Sequence, residues 1–194
     1  MAALIVAGAL MLGVAASAGA STVTVSPGGN VTGTATTHAF FQWGSARLDC
    51  AAATATGTLR AATGVFPITV SSNMQENFSS CTLVGIGGYT ITCSNTSTAN
   101  VTSVTVAGVT QGTIANIACT VTVVGICSAR MSGSLTESNN NATGQVTVNA
   151  AGQSLVVSGS MCGSLLPNGP MTFTGPSSAN LVYNVLPRQT VTAT

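Results

Sequence analysis

Thr22-Val23-Thr24-Val25-Ser26 sets valine at every second position and a hydroxyl between. In an extended chain successive side chains point to opposite faces, so this stretch reads as a strand with one apolar face and one hydroxyl face. The same period of two recurs in Tyr89-Thr-Ile-Thr92, Val101-Thr-Ser-Val-Thr-Val106, Thr120-Val-Thr-Val-Val124, Gln145-Val-Thr-Val148, Leu155-Val-Val-Ser158 and Gln189-Thr-Val-Thr192. Val and Thr are branched at Cβ and favour the extended backbone, so propensity and pattern agree. Turn residues stand between the runs: Pro27-Gly-Gly-Asn30, Gly85-Ile-Gly-Gly88, Ser138-Asn-Asn-Asn-Ala-Thr-Gly144, Pro167-Asn-Gly-Pro170 and Gly175-Pro-Ser-Ser178. Gly and Asn accept the positive φ of tight turns, and Pro fixes φ. About ten short strands, with no helix between them, predict an all-β fold: an antiparallel β-sandwich or a closed β-barrel.

Ahead of the first strand, Met1 to Ala20 is apolar and rich in small residues, with cleavage-type triplets at Ala16-Ser17-Ala18 and Ala18-Gly19-Ala20. It reads as a signal peptide whose n-region lacks Lys and Arg, and it falls short of the ~20 apolar residues that a membrane helix needs. Residues 21–194 are then expected to form a single all-β domain, long enough to bury a core.

Six cysteines, Cys50, Cys81, Cys93, Cys119, Cys127 and Cys162, all follow that leader. An even number behind an export signal points to disulfides in an oxidising compartment rather than to metal or redox chemistry. Six cysteines admit fifteen pairings. The expectation adopted is neighbour to neighbour: Cys50–Cys81, Cys93–Cys119 and Cys127–Cys162. A zinc site is not expected, because the chain has no Cys-x-x-Cys pair and a single histidine.

Arg47, Asp49, Arg60, Glu76, Arg130, Glu137 and Arg188 are the only charged side chains, and there is no lysine. Nucleic acid is therefore not an expected partner, since no basic patch exists to neutralise phosphates. Thr and Ser make up about a quarter of the chain. Solubility must then rest on hydroxyls rather than on net charge, a surface that suits export and also packing against copies of itself or against cell-envelope components. Asn-x-Ser/Thr triplets at Asn30, Asn77, Asn95, Asn100 and Asn141 are about what this composition gives by chance.

The same poverty of charge restricts chemistry. His38 and Asp49 are the only histidine and aspartate, and no Gly-x-Ser-x-Gly elbow presents a nucleophile to them. Glycoside hydrolysis needs two carboxylates facing one bond, and Glu76 and Glu137, each beside asparagine or serine, read as solvated loop residues. A phosphate loop would need the lysine that the chain lacks, and a calcium site would need more converging acids. No catalytic residue, metal or cofactor is expected. The one candidate binding cluster is Phe40, Phe41 and Trp43 with Arg47, whose rings would stack on a sugar or another neutral ligand if exposed. A β-barrel pore in the envelope is a further alternative, because alternating strands of low charge also describe a barrel in lipid.

Gly29-Asn-Val-Thr-Gly-Thr-Ala35, Leu48-Asp-Cys50, Asn77-Phe-Ser-Ser-Cys81, Cys127-Ser-Ala129, Asn141-Ala-Thr-Gly144 and Leu186-Pro-Arg-Gln-Thr-Val-Thr192 carry a resemblance across most of the chain beyond the leader. The chain resembles a group of small secreted actinobacterial proteins without an assigned activity. That resemblance implies export and four recurrent cysteines, matching Cys50, Cys81, Cys127 and Cys162, with Cys93 and Cys119 as an added pair. It implies no activity. The expectation is thus a non-catalytic extracellular or envelope-associated β-domain, structural or self-associating, with a carbohydrate-binding module and a pore as alternatives. The membrane is not an expected partner once the leader is cleaved.

Overall fold

Hydroxyl-apolar alternation becomes paired strand over most of the described residues. The computed structural model describes residues 19–44, 46–83, 87–123 and 126–194; the expected leader lies outside them except for its last two residues. The strands are β1 (Ser21–Ser26), β2 (Gly29–Ala35), β3 (Ala39–Trp43), β4 (Ala46–Leu59), β5 (Ala62–Gly64), β6 (Ile68–Leu83), β7 (Gly87–Cys93), β8 (Ser97–Val101), β9 (Val109–Val123), β10 (Cys127–Asn140), β11 (Gln145–Val148), β12 (Leu155–Ser158), β13 (Gly169–Thr174), β14 (Leu181–Leu186) and β15 (Thr190–Ala193). The protein is all-β and its pairings are antiparallel. Two 3-10 turns, Gly163–Leu165 and Pro176–Ser178, are the helical elements among the described residues.

The expectation of about ten short strands is corrected on length and number. β4, β6, β9 and β10 run for 14, 16, 15 and 14 residues. One expected strand is displaced: β8 ends at Val101, and the chain turns at Ala107-Gly108, both at positive φ, so most of Val101–Val106 lies outside a strand.

The four long strands organise the rest. β4 pairs with β6 and β9 pairs with β10. At one end β7 bridges β6 to β9, while β12, β13 and β3 bridge β10 to β4. At the other end β8 bridges β6 to β9, while β11, β14 and β2 bridge β10 to β4. The hydrogen-bonded ladder therefore closes on itself twice, each circuit passing through eight strands. Closure pairs edges that would otherwise stay open to other chains.

Side chains sort by the pleat. Along β9, Ile114, Ile117, Cys119, Val121 and Val123 are buried while Gln111, Asn116, Ala118 and Thr120 face out. The main core lies inside the ladder, with Phe41, Phe78 and Phe173 packed ring to ring at 4.7 to 5.7 Å between centroids. A smaller core gathers Val23, Ile68, Val70, Val101 and Val191 beneath a separate three-stranded sheet, β15-β1-β5, at the end bridged by β8.

Disulfides join Cys50 to Cys81, Cys93 to Cys119 and Cys127 to Cys162, in neighbour-to-neighbour order. The first two link residues directly opposite each other on paired strands, β4 with β6 and β7 with β9. The third ties the start of β10 to the turn before Gly163. Among the described residues no helix is long and apolar enough to cross a membrane.

Candidate functional site

The pleat divides the aromatic cluster that the sequence suggested. Successive residues of β3 alternate, so Ala39, Phe41 and Trp43 point inward and are buried, while Phe40 and Gln42 point outward. Phe41 and Trp43, expected as a binding surface together with Phe40 and Arg47, are core residues. The Trp43 indole N–H is buried without a hydrogen-bond partner. On the outer face Arg47 stacks over the Phe40 ring at 3.8 Å, so one side of the only outward aromatic of this group is already covered.

His38 and Asp49 do meet, because β3 and β4 set Phe40 opposite Asp49 and the chain reaches His38 two residues earlier. The His38 Nδ1–H donates to Asp49 Oδ1 at 2.9 Å, with both side chains substantially exposed. His38 lies beside the Phe40 ring at 6.3 Å rather than among Phe41 and Trp43. Among the described residues no serine hydroxyl hydrogen-bonds to this pair.

The two glutamates contradict their expected place in solvated loops. Glu76 and Glu137 lie within β6 and β10, on the inward-facing register. Glu76 is only 6% exposed. Ser97 Oγ donates to Glu76 Oε2 at 3.0 Å, whereas Glu76 Oε1 is buried without a partner. Burial raises the Glu76 carboxyl above its ordinary range, against a smaller opposite pull from the Ser97 hydroxyl. Glu137 is pushed up to about 7, first by desolvation and then by the Glu76 charge. The Tyr183 hydroxyl is raised by burial and by Glu76, and the Tyr89 hydroxyl by burial.

Glu137, Tyr183 and Glu76 border a hollow. A cavity of about 90 Å³ opens inside the circuit containing β8, with Glu137, Met74, Val146, Val185 and Tyr183 in its wall. A second void of about 20 Å³ is lined by Glu76, Phe78 and Leu135, and Ala55, Ile114, Val148 and Tyr183 border both spaces. The sequence carried a signal for this placement. Met74, Glu76 and Phe78 share one strand face by their spacing, as do Leu135 and Glu137. Among the described residues no group of three or more His, Cys, Asp or Glu side chains is placed to hold a metal ion.

Fold and site together define a disulfide-linked, all-β protein with a closed ladder and an acidic pair inside it. No family model, curated protein or solved structure matches the chain.

Proposed function

We propose that the protein is a non-catalytic β-domain that acts outside the cell, free or attached to the envelope, in a structural or self-associating role. The observation that carries this reading is the outer surface of the long strands. Thr69, Ser72, Asn77, Ser79 and Thr82 on β6 and Gln111, Asn116 and Thr120 on β9 cover the ladder with neutral hydroxyls and amides. Such a surface offers hydrogen bonds in every direction and little charge to keep copies apart. Three disulfides support an oxidising compartment.

The test has two measurements. Expressed with residues 1–20 in a Gram-positive host, the protein is expected in the medium or wall fraction with no thiol open to a maleimide; retention in the cytosol with six reactive thiols overturns export. Sedimentation at rising concentration is expected to show reversible association, and a monomer persisting into the millimolar range overturns the self-associating role.

The carbohydrate-binding alternative now rests on Phe40, Arg47, His38 and Asp49 alone, because Phe41 and Trp43 face the core. The pore alternative runs against the sidedness of the strands. A barrel in lipid is apolar outside and polar within, and this ladder is the reverse.

A further inference from the structure

We propose that the interior of the circuit containing β8 is a binding site for a short alkylammonium, a small cation with an apolar body, whose charged head is held by Glu137. The inference does not depend on where the domain is displayed. Three observations carry it.

The first is space where side chains ought to fill it. Eight-stranded ladders of this kind ordinarily close around packed side chains or hold one small ligand. Here Leu59, Val146 and Val185 face the interior yet keep accessible surface, which is the wall of the cavity. At about 90 Å³ it is smaller than the ~150 Å³ cavity that accepts benzene, and it has room for an organic molecule of about three to six heavy atoms.

The second is the unpaired acid. Buried carboxylates are usually paired or hydrogen-bonded, since an uncompensated charge away from water is costly. Glu137, half-buried in the cavity wall, makes no side-chain hydrogen bond among the described residues, and Glu76, which lines the adjoining void, keeps a buried Oε1 without a partner. Neither is answered by a basic group of the protein. Arg47, Arg60, Arg130 and Arg188 are all exposed, and Arg188 is engaged with the Asn141 and Ala142 carbonyls.

The third is how the wall is cut to admit the carboxylate. A Cβ at Gly112 would stand 2.8 Å from the Asn100 carbonyl oxygen and 3.0 Å from Glu137 Oε1, so glycine on β9 keeps β8 close and leaves room beside the carboxylate. The remaining wall is mostly aliphatic, from Val70, Val101, Val146, Val185 and Val191. A carboxylate at one point of an apolar chamber selects a cation with a short hydrocarbon tail over a bare metal ion, which needs several oxygen ligands.

Titration of the full chain at pH 8 with n-butylammonium, and with n-butanol as the neutral analogue, tests this. Butylammonium is expected to bind at least about tenfold more tightly than butanol, with NMR shifts at Gly112, Asn100 and Tyr183. Glu137→Gln is expected to bring the two within about twofold, and Val146→Met, which fills the chamber, to weaken both. Equal affinities in the unmodified protein, a preference that survives Glu137→Gln, shifts confined to the outer face, or no binding of either probe overturns the proposal.

Discussion

Glu137 gives the chain an unusual dependence on pH. Its carboxyl moves from 4.5 to about 7 in the folded protein, so the folded state holds this proton more tightly than the unfolded state does. Its contribution to stability is therefore fully present below about pH 4.5 and is lost as the pH rises through about 7, up to about 3 kcal/mol in all. Glu76 on β6 adds in the same direction and Tyr183 on β14 faces the same interior, while no arginine opposes them. The urea midpoint should fall between pH 5 and pH 8, and Glu137→Gln should flatten that fall and exceed the unmodified protein at pH 8; parallel profiles would refute it. Trp43, buried in the main core, should emit well to the blue of free tryptophan and resist iodide, with no change on adding envelope glycans. An emission that iodide quenches readily would place the indole at the surface instead. Both placements were legible at this scale. Ala39-Phe40-Phe41-Gln42-Trp43 already separates Phe40 from Phe41 and Trp43 by parity, and Met74-Gln75-Glu76-Asn77-Phe78 puts the acid among apolar residues. Polar neighbours, which suggest a loop, hid the glutamates; their strands are long enough to carry both faces.

Strands were readable where alternation is unbroken and hidden where its phase slips. In β9 the buried positions are even-numbered through Ile114 and odd-numbered from Ile117, with Asn116 at φ 58° between them. In β6 the change falls after Phe78, where Ser80 stands at φ 51° and the register against β7 shifts. An extra residue at a bulge reverses which side chains face the core, so a count of period two sees two short strands or none. β4 escaped for another reason: Ala51, Ala52, Ala53 and Ala55 carry no contrast between faces. The disulfides act on these elements differently. Cys93 and Cys119 sit on strands already paired from Tyr89 to Cys93, whereas Cys162 is held to β10 chiefly through Cys127. The enclosed separations, 26 and 35 residues, predict similar entropic losses of about 3 to 4 kcal/mol at most. The structural outcomes should differ. A Cys93→Ala, Cys119→Ala double variant should melt at lower temperature with β7 amides still protected from exchange. The Cys127→Ala, Cys162→Ala variant should open the segment around Leu165 and Leu166 to chymotrypsin in the native state. Equal protease resistance would show that the segment needs no staple.

At the scale of the molecule, closure depends on partners far apart in sequence. β2 pairs with β14 and completes the circuit around the cavity, while β15 pairs with β1 outside both circuits. Two truncations should therefore have unlike effects although they differ by only about ten residues. Ending the chain after Gln189 removes β15. It uncovers Val23 and loses buried Val191 and Ala193 together with the Thr110 hydroxyl bond to the Val191 carbonyl, a loss of roughly 3 to 5 kcal/mol. Both circuits survive it, so a cooperative melt at lower temperature is expected. Ending the chain after Ala179 also removes β14, whose Leu181 and Tyr183 are buried. It leaves β2 and β11 with open edges and opens the ladder beside Glu137. A ladder open on that side exposes the apolar face of every strand around the hollow, so this variant should show no cooperative transition and should aggregate through its free edges. Calorimetry of the two decides the point: a cooperative melt retained without β14 would mean that the circuit around β12 and β13 folds alone, and that closure around the cavity is not what holds the molecule together.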